Sequence, residues 1–273
     1  MRQRVTGENI DKYTYRESSE RILFVEDFES LEELDSTVKT YLETNKRQLS
    51  NRADKKRRPS AKWWNFTFPM HIEHYKNEKI WCSYRAPENR FCLDRTGQLI
   101  GLTNTTVIFK TNNSLNFCYL LALLNSECMN FRYSHIGKKT GSGLLEYFEN
   151  GISKIPIVLA PDVTQTLMAI IAEYIIDLRL NRKTLAYTYF EQLIDGLVYE
   201  LYFPDEIKAA SKEILPHLGE LTPITDAMSV EKKLAIIQRE FDRLYDPNHP
   251  VRNHLETLDS VEVVRTIRES LKR

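Results

Sequence analysis

Several absences narrow the chemistry before any feature is considered. The chain has no leader of the secretory type and no apolar run of 18 residues, so it reads as a soluble, cytoplasmic protein with no membrane contact. Its four cysteines, Cys82, Cys92, Cys118 and Cys128, form no CxxC pair, and reduced core thiols without metal are the expectation. His71 and His74 lie three apart with no third ligand near them, and read as surface or packing residues. No Gly-rich dinucleotide loop occurs. The sequence GKKTGSG (137–143) has its lysines ahead of the threonine and serine, so the GxxxxGK[ST] spacing of a phosphate loop is absent. HExxH and GxSxG are missing. So are an Asn/Asp-Pro-Pro-aromatic run that would hold an extruded base and an FxGxG-like S-adenosylmethionine loop. Pro161-Asp162 has no ExK nearby, and Pro204-Asp205-Glu206-Ile207-Lys208 places PD and ExK on one helix start. A metal-dependent nuclease needs them on adjacent strands converging on a metal. No catalytic residue and no resident cofactor are therefore expected.

What is present is enough to fold. Apolar residues make up 42% of 273, and the formal net charge is zero. That zero hides an asymmetry. Residues 1–160 hold 24 Lys+Arg against 19 Asp+Glu, and residues 161–273 hold 14 against 19. A basic first part beside an acidic second part suggests two units, 1–160 and 161–273, with any nucleic-acid surface on the first.

The first unit reads as mixed. Ile22-Leu23-Phe24-Val25 suits a buried strand. The acidic run Glu26, Asp27, Glu29, Glu32, Glu33 and Asp35 suits a solvated helix start. Residues 38–49 read as a helix with Val38, Tyr41, Leu42 and Leu49 on one side. It runs into the strongest charge feature of the chain: eight basic residues between Lys46 and Lys62, opposed by Asp54 alone. Pro59 breaks this run and Trp63-Trp64 follow it. Basic side chains neutralise phosphates, and aromatic faces stack on bases or wall a groove. The alternative is solvated charge beside two core tryptophans. Residues 79–85 read as a strand, and Thr105–Phe109 as another. Phe91–Leu93 and Leu99-Ile100 read as a hairpin turned by Asp94-Arg95-Thr96-Gly97.

The organising stretch is 116–157. Phe117, Leu120, Leu121, Leu124, Cys128 and Phe131 form one apolar helical stripe, with Ser114 or Asn116 as its cap and Gly137 as its end. The loop GKKTGSG follows, and Lys154-Ile155-Pro156-Ile157 reads as a closing strand. Beyond residue 160, helical stripes appear over 164–180, 187–201, 204–215, 230–244 and 260–271. The fold class expected is α+β: a mixed domain followed by a helical bundle.

The order of these segments resembles a known family. GENIDKY (7–13), ILFV (22–25), YLETNKRQLSNR (41–52), the Trp pair, KIWCSYR (79–85), FCLDRTG (91–97), TNTTVIF (103–109), LLALLNSECMNFRY (120–133) and KIPI (154–157) are similar to the TaqI-like C-terminal specificity domain. That domain is the target-recognition region of type IIG restriction–modification enzymes and adenine-amino DNA methyltransferases. The stretch FEQLIDGLVYELYFPDEI (190–207) resembles the helical tail that follows it. The family's methyltransferase and nuclease parts, which would use S-adenosylmethionine and Mg2+, have no counterpart here. The resemblance thus implies either an excised C-terminal piece or a separate specificity polypeptide.

The expected partners are double-stranded DNA and a methyltransferase/nuclease domain or subunit. The expected DNA-facing residues are Arg52, Lys55, Lys56, Arg57, Arg58, Lys62, Trp63, Trp64, Lys79, Arg85, Lys138 and Lys139. Arginines such as Arg52, Arg57, Arg58 and Arg85 suit guanine's paired acceptors, and the lysines suit phosphate. A second function class competes with this one: a helical interaction or scaffold protein whose basic segment is solvated surface.

Overall fold

The structure is a computed structural model and describes residues 1–23, 29–65, 74–110 and 115–272. The chain begins with strands Arg2–Val5 (β1) and Arg21–Ile22 (β2), then short helices Ser36–Thr44 (α1), Lys46–Ser50 (α2) and Ala53–Arg57 (α3). Strands Lys79–Ser83 (β3), Arg85–Ala86 (β4), Phe91–Asp94 (β5), Leu99–Gly101 (β6) and Thr105–Phe109 (β7) follow. Helices Phe117–Asn125 (α4) and Glu127–Ile136 (α5) lead to strands Lys138–Lys139 (β8) and Leu145–Glu146 (β9) and to the short helix Glu149–Ile152 (α6). The remainder is helical: Asp162–Leu180 (α7), Thr184–Tyr202 (α8), Pro204–Ala209 (α9), Leu215–Leu218 (α10), Val230–Leu244 (α11), Pro250–Glu256 (α12) and Glu262–Leu271 (α13). The fold class is α+β. No helix among the described residues is long and apolar enough to cross a membrane.

Three small sheets have the strand orders β2-β1-β6, β5-β3-β7 and β4-β9-β8. Strand β3 separates two cores, which explains its unbroken apolar run. Successive side chains point to opposite faces. Ile80 and Cys82 enter the large core, while Trp81 enters a small one with Val5, Ile10, Cys92 and Leu99. Helix α4 is buried on every side, as a helix apolar all round must be. It lies between β5 and α7. The large core therefore runs without interruption from Tyr13 and Ile80, through α4, to Ile171, Val198 and Ile267. Residue 160 marks a change from mixed to all-helical structure, and the core continues across it.

Several sequence expectations are corrected. The helix expected from 116 to 137 is two helices. Ser126 has an extended backbone (ψ 156°), and its Oγ accepts from the Met129 amide 3.2 Å away to cap α5. The helix over 38–49 is likewise broken at Asn45. Phe91–Leu93 and Leu99-Ile100 do not form a hairpin. Strand β5 pairs with β3, whereas β6 runs parallel to β1 in another sheet. The Asp94 carboxylate redirects the chain by accepting from the amides of Thr96, Gly97 and Leu99. Gly97 has φ +64°, and a Cβ there would fall 2.2 Å from the Lys76 carbonyl oxygen, so glycine is required.

Residues 154–157 do not form a strand. The Pro156 carbonyl accepts from the Tyr202 hydroxyl on α8 at 2.6 Å, so this backbone is satisfied by the helical half. The helix expected over 204–215 stops at Ala209, two residues before Ser211, which adopts φ +53°. Helices α10 and α12, of four and seven residues, were not anticipated. Phe24 and Val25 of the expected first strand, Glu26 and Asp27 of the acidic run, His71, and Ser114 lie outside the described residues. The observed cap of α4 is Asn116, whose Oδ1 accepts from the Cys118 amide at 2.8 Å.

Candidate nucleic-acid interface

The segment read as a basic loop is a β-hairpin. Strand β9 is central in its sheet, and Glu146 stands directly across from Arg85 on one side and Lys138 on the other. Directly opposed side chains share a face and lie close enough to interact. The Arg85 Nε and Nη2 both donate to Glu146 Oε1, at 3.0 and 2.7 Å. Lys138 Nζ reaches Glu146 Oε2 at 2.8 Å. Each carboxylate oxygen thus holds its own cation. The hydrogen bonds from Lys138 and then Arg85 keep the Glu146 carboxyl below the usual carboxylate range, and the bond to Glu146 raises the Lys138 ammonium. The Glu146 side chain is 5% exposed, against 57% for Arg85 and 67% for Lys138. The cations cover the anion and face solvent themselves. Lys139 opposes the buried Leu145, so it stands on the other face of the ribbon. The two lysines of GKKTGSG are not equivalent.

Beside this ribbon lies an open groove of about 480 Å³, lined by Gly7, Tyr84, Arg85, Arg90, Thr103 and Asn104 among others. Gly7 allows the chain to close one wall, since a Cβ there would meet Ser83 Oγ at 2.4 Å and the Asn104 carbonyl at 2.9 Å. The Arg85 guanidinium lies 5.6 Å from the Tyr84 ring centroid, a cation–π distance. Arg90 differs in its charge balance, pairing with Glu88 at 3.2 Å and with Asp11 at 4.0 Å.

The basic segment forms a second group. Arg52 is consumed by its own neighbourhood. Its Nε donates to the Leu49 carbonyl at 3.0 Å, and its Nη2 donates to those of Trp63 at 3.3 Å and Asn65 at 2.8 Å. It ties α2 to the tryptophan segment. Trp63 and Trp64 are half-buried and meet edge to face at 5.4 Å, with Lys46 Nζ 5.4 Å from the Trp63 ring centroid. Lys55 donates to the Pro59 carbonyl just past α3, where a cation also suits the helix dipole. Lys62 pairs with Glu29 at 3.5 Å. Lys56, Arg57 and Arg58 are exposed.

Lys79 is a correction. Its side chain is 0% exposed and pairs with Asp94 at 2.9 Å. The ammonium also donates to the carbonyls of Tyr75 at 2.8 Å and Asn77 at 3.2 Å. Burial lowers its pKa, with the bond to Asp94 acting against that. A lysine so enclosed has no surface to offer a phosphate. Glu146, Tyr84 and Arg90 were not anticipated. Glu146 was legible only as one acid in an alternating Leu-Glu strand, because its partner Arg85 is 61 residues away.

The other titratable groups point to structure. All four cysteines are free and buried, and burial raises each thiol pKa. Among the described residues no group of three or more His, Cys, Asp or Glu side chains is placed to hold a metal ion.

The solvent-facing Arg85 and Lys138 and the exposed Lys56, Arg57 and Arg58 give this part of the chain a cationic surface. Residues 3–157 match the family of the TaqI-like C-terminal specificity domain. The match spans more than half of the chain, and the chain belongs to this family, whose role is DNA recognition in restriction–modification. A comparison with curated protein sequences finds no match.

Proposed function

We propose that this chain is the sequence-specific DNA-binding specificity module of a type IIG restriction–modification system. It directs adenine methylation, cleavage or both, performed by methyltransferase and nuclease domains or a subunit carrying S-adenosylmethionine and Mg2+. Its place of action on this reading is the cytoplasm. The observation that carries the proposal is the family match over residues 3–157. The paired cations at Arg85 and Lys138 and the exposed Lys56, Arg57 and Arg58 support it. Double-stranded DNA is the partner on the basic side. The helical part, residues 161–273, carries five more acids than bases and serves as the spacer or seat for the catalytic partner.

The test is duplex affinity at two salt concentrations, for wild type and for Lys55, Lys56, Arg57 and Arg58 all changed to Ala. Each phosphate that the variant no longer neutralises lowers the slope of log affinity against log salt by about one. Weaker binding with a shallower slope is expected. An unchanged affinity and slope would remove this segment from the interface. Failure to bind duplex DNA at low salt would remove the function.

A further inference from the structure

We propose that Arg85 is a guanine-reading side chain working through the groove bounded by Gly7, Tyr84 and Asn104, and that Glu146 is its positioning residue. This rests on the specificity-module reading above and deepens it.

The sequence offers Arg52, Arg57, Arg58 and Arg85 as base readers, and the geometry separates them. Arg52 spends Nε and Nη2 on three backbone carbonyls. Arg57 and Arg58 are exposed at the end of a five-residue helix, on long stems suited to the loose geometry of phosphate contact. Arg85 is fixed in a different way. Its Nε and Nη2 fork onto a single oxygen of Glu146, which sets the plane of the guanidinium. Lys138 holds the other oxygen, so the carboxylate itself cannot swing away. What remains of Arg85 is the outer end of the fork: Nη1 and the second hydrogen of Nη2. Guanine presents O6 and N7 as adjacent acceptors in the major groove, and a planar fork matches that pair. The side chain is 57% exposed despite this tethering, so the fork is accessible. Fixing the plane in advance removes part of the ordering cost that a free arginine meets on binding. Because β4 and β9 are paired, the orientation is a property of the sheet and not of a mobile loop. Arg90 lines the same groove, but it is balanced by Glu88 and Asp11.

The experiment is selection from a randomised double-stranded DNA library by the full chain, comparing wild type, R85A, R90A, E146A and, on the exposed surface of the helical part, K208A. R85A is the primary variant because its side chain is largely at the surface. The expected wild-type result is a motif containing at least one fixed guanine. R85A should return that motif with one guanine position degenerate, and lose affinity for the wild-type duplex by on the order of tenfold. E146A should relax the same position and no other, which a loss of fold stability would not do. K208A should return the full motif. A motif unchanged in R85A, or one that loses its guanine in R90A instead, overturns this assignment and leaves the specificity-module reading standing. A wild-type chain that enriches no motif overturns both.

Discussion

The Asn125 side chain and the Phe91 backbone hydrogen-bond to each other in both directions. Phe91 N donates to Asn125 Oδ1 at 3.0 Å, and Asn125 Nδ2 donates to the Phe91 carbonyl at 2.9 Å. The same carbonyl accepts from the Tyr13 amide at 2.8 Å, where Tyr13 holds φ +67°. Three separate sequence segments, GENIDKY, FCLDRTG and LLALLNS, therefore meet at one peptide. Changing Asn125 to Ala leaves the buried Phe91 N–H without an acceptor, while its carbonyl keeps Tyr13. Chemical denaturation should show a loss of about 2 kcal/mol. A loss below a few tenths would mean that the pair does not fasten α4 to β5.

That junction also explains what could be read from sequence. Helices α7 and α11 were visible because their apolar periodicity is local, and α11 matches the expected 230–244 at both ends. The break at Ser126 was not visible, because the neighbouring Asn125 turns away to a strand 34 residues earlier. The false hairpin at 91–100 came from a real turn signal. Asp94 and Gly97 do make the turn, but it transfers the chain from one sheet to another. At the candidate interface, charge alone marked Lys79 and Arg85 alike. Burial separates them, and burial depends on tertiary neighbours.

Lys79 and Asp94 share an ion pair with neither side chain exposed. Removing one member strands the other charge away from water. Asp94 keeps its bonds from Thr96, Gly97 and Leu99, so K79M should cost about 3 kcal/mol, the low end for such a pair. Urea unfolding measures this. The salt slope of DNA binding by the folded variant should not change, and a shallower slope would return Lys79 to the interface.

Arg52 and the pair Lys56/Arg57 should behave differently, though they belong to one basic run. R52A removes bonds to the carbonyls of Leu49, Trp63 and Asn65. It should loosen the tryptophan segment, seen as a change in tryptophan fluorescence, with the salt slope preserved. The double change of Lys56 and Arg57 to Ala should leave fluorescence unaltered and lower the slope by about two. The reverse pattern would exchange their roles.

Glu146 gives a pH signature. Its folded carboxyl lies below its unfolded value because Lys138 and then Arg85 donate to it. Unfolded glutamate titrates near about 4.3. The stabilisation is therefore fully present above that pH, and is lost as pH falls through the lower, folded value. Between about pH 5 and about pH 3, the urea midpoint of wild type should fall further than that of E146Q. Equal declines would show that the clamp adds nothing to stability.

We propose sequence-specific recognition of duplex DNA by this chain. The most direct measurement is equilibrium binding of the intact protein to a duplex selected from a random library, beside a scrambled duplex of identical composition at one salt concentration. Preference for the selected duplex on the order of a thousandfold is expected. Equal affinity for the two duplexes would contradict it.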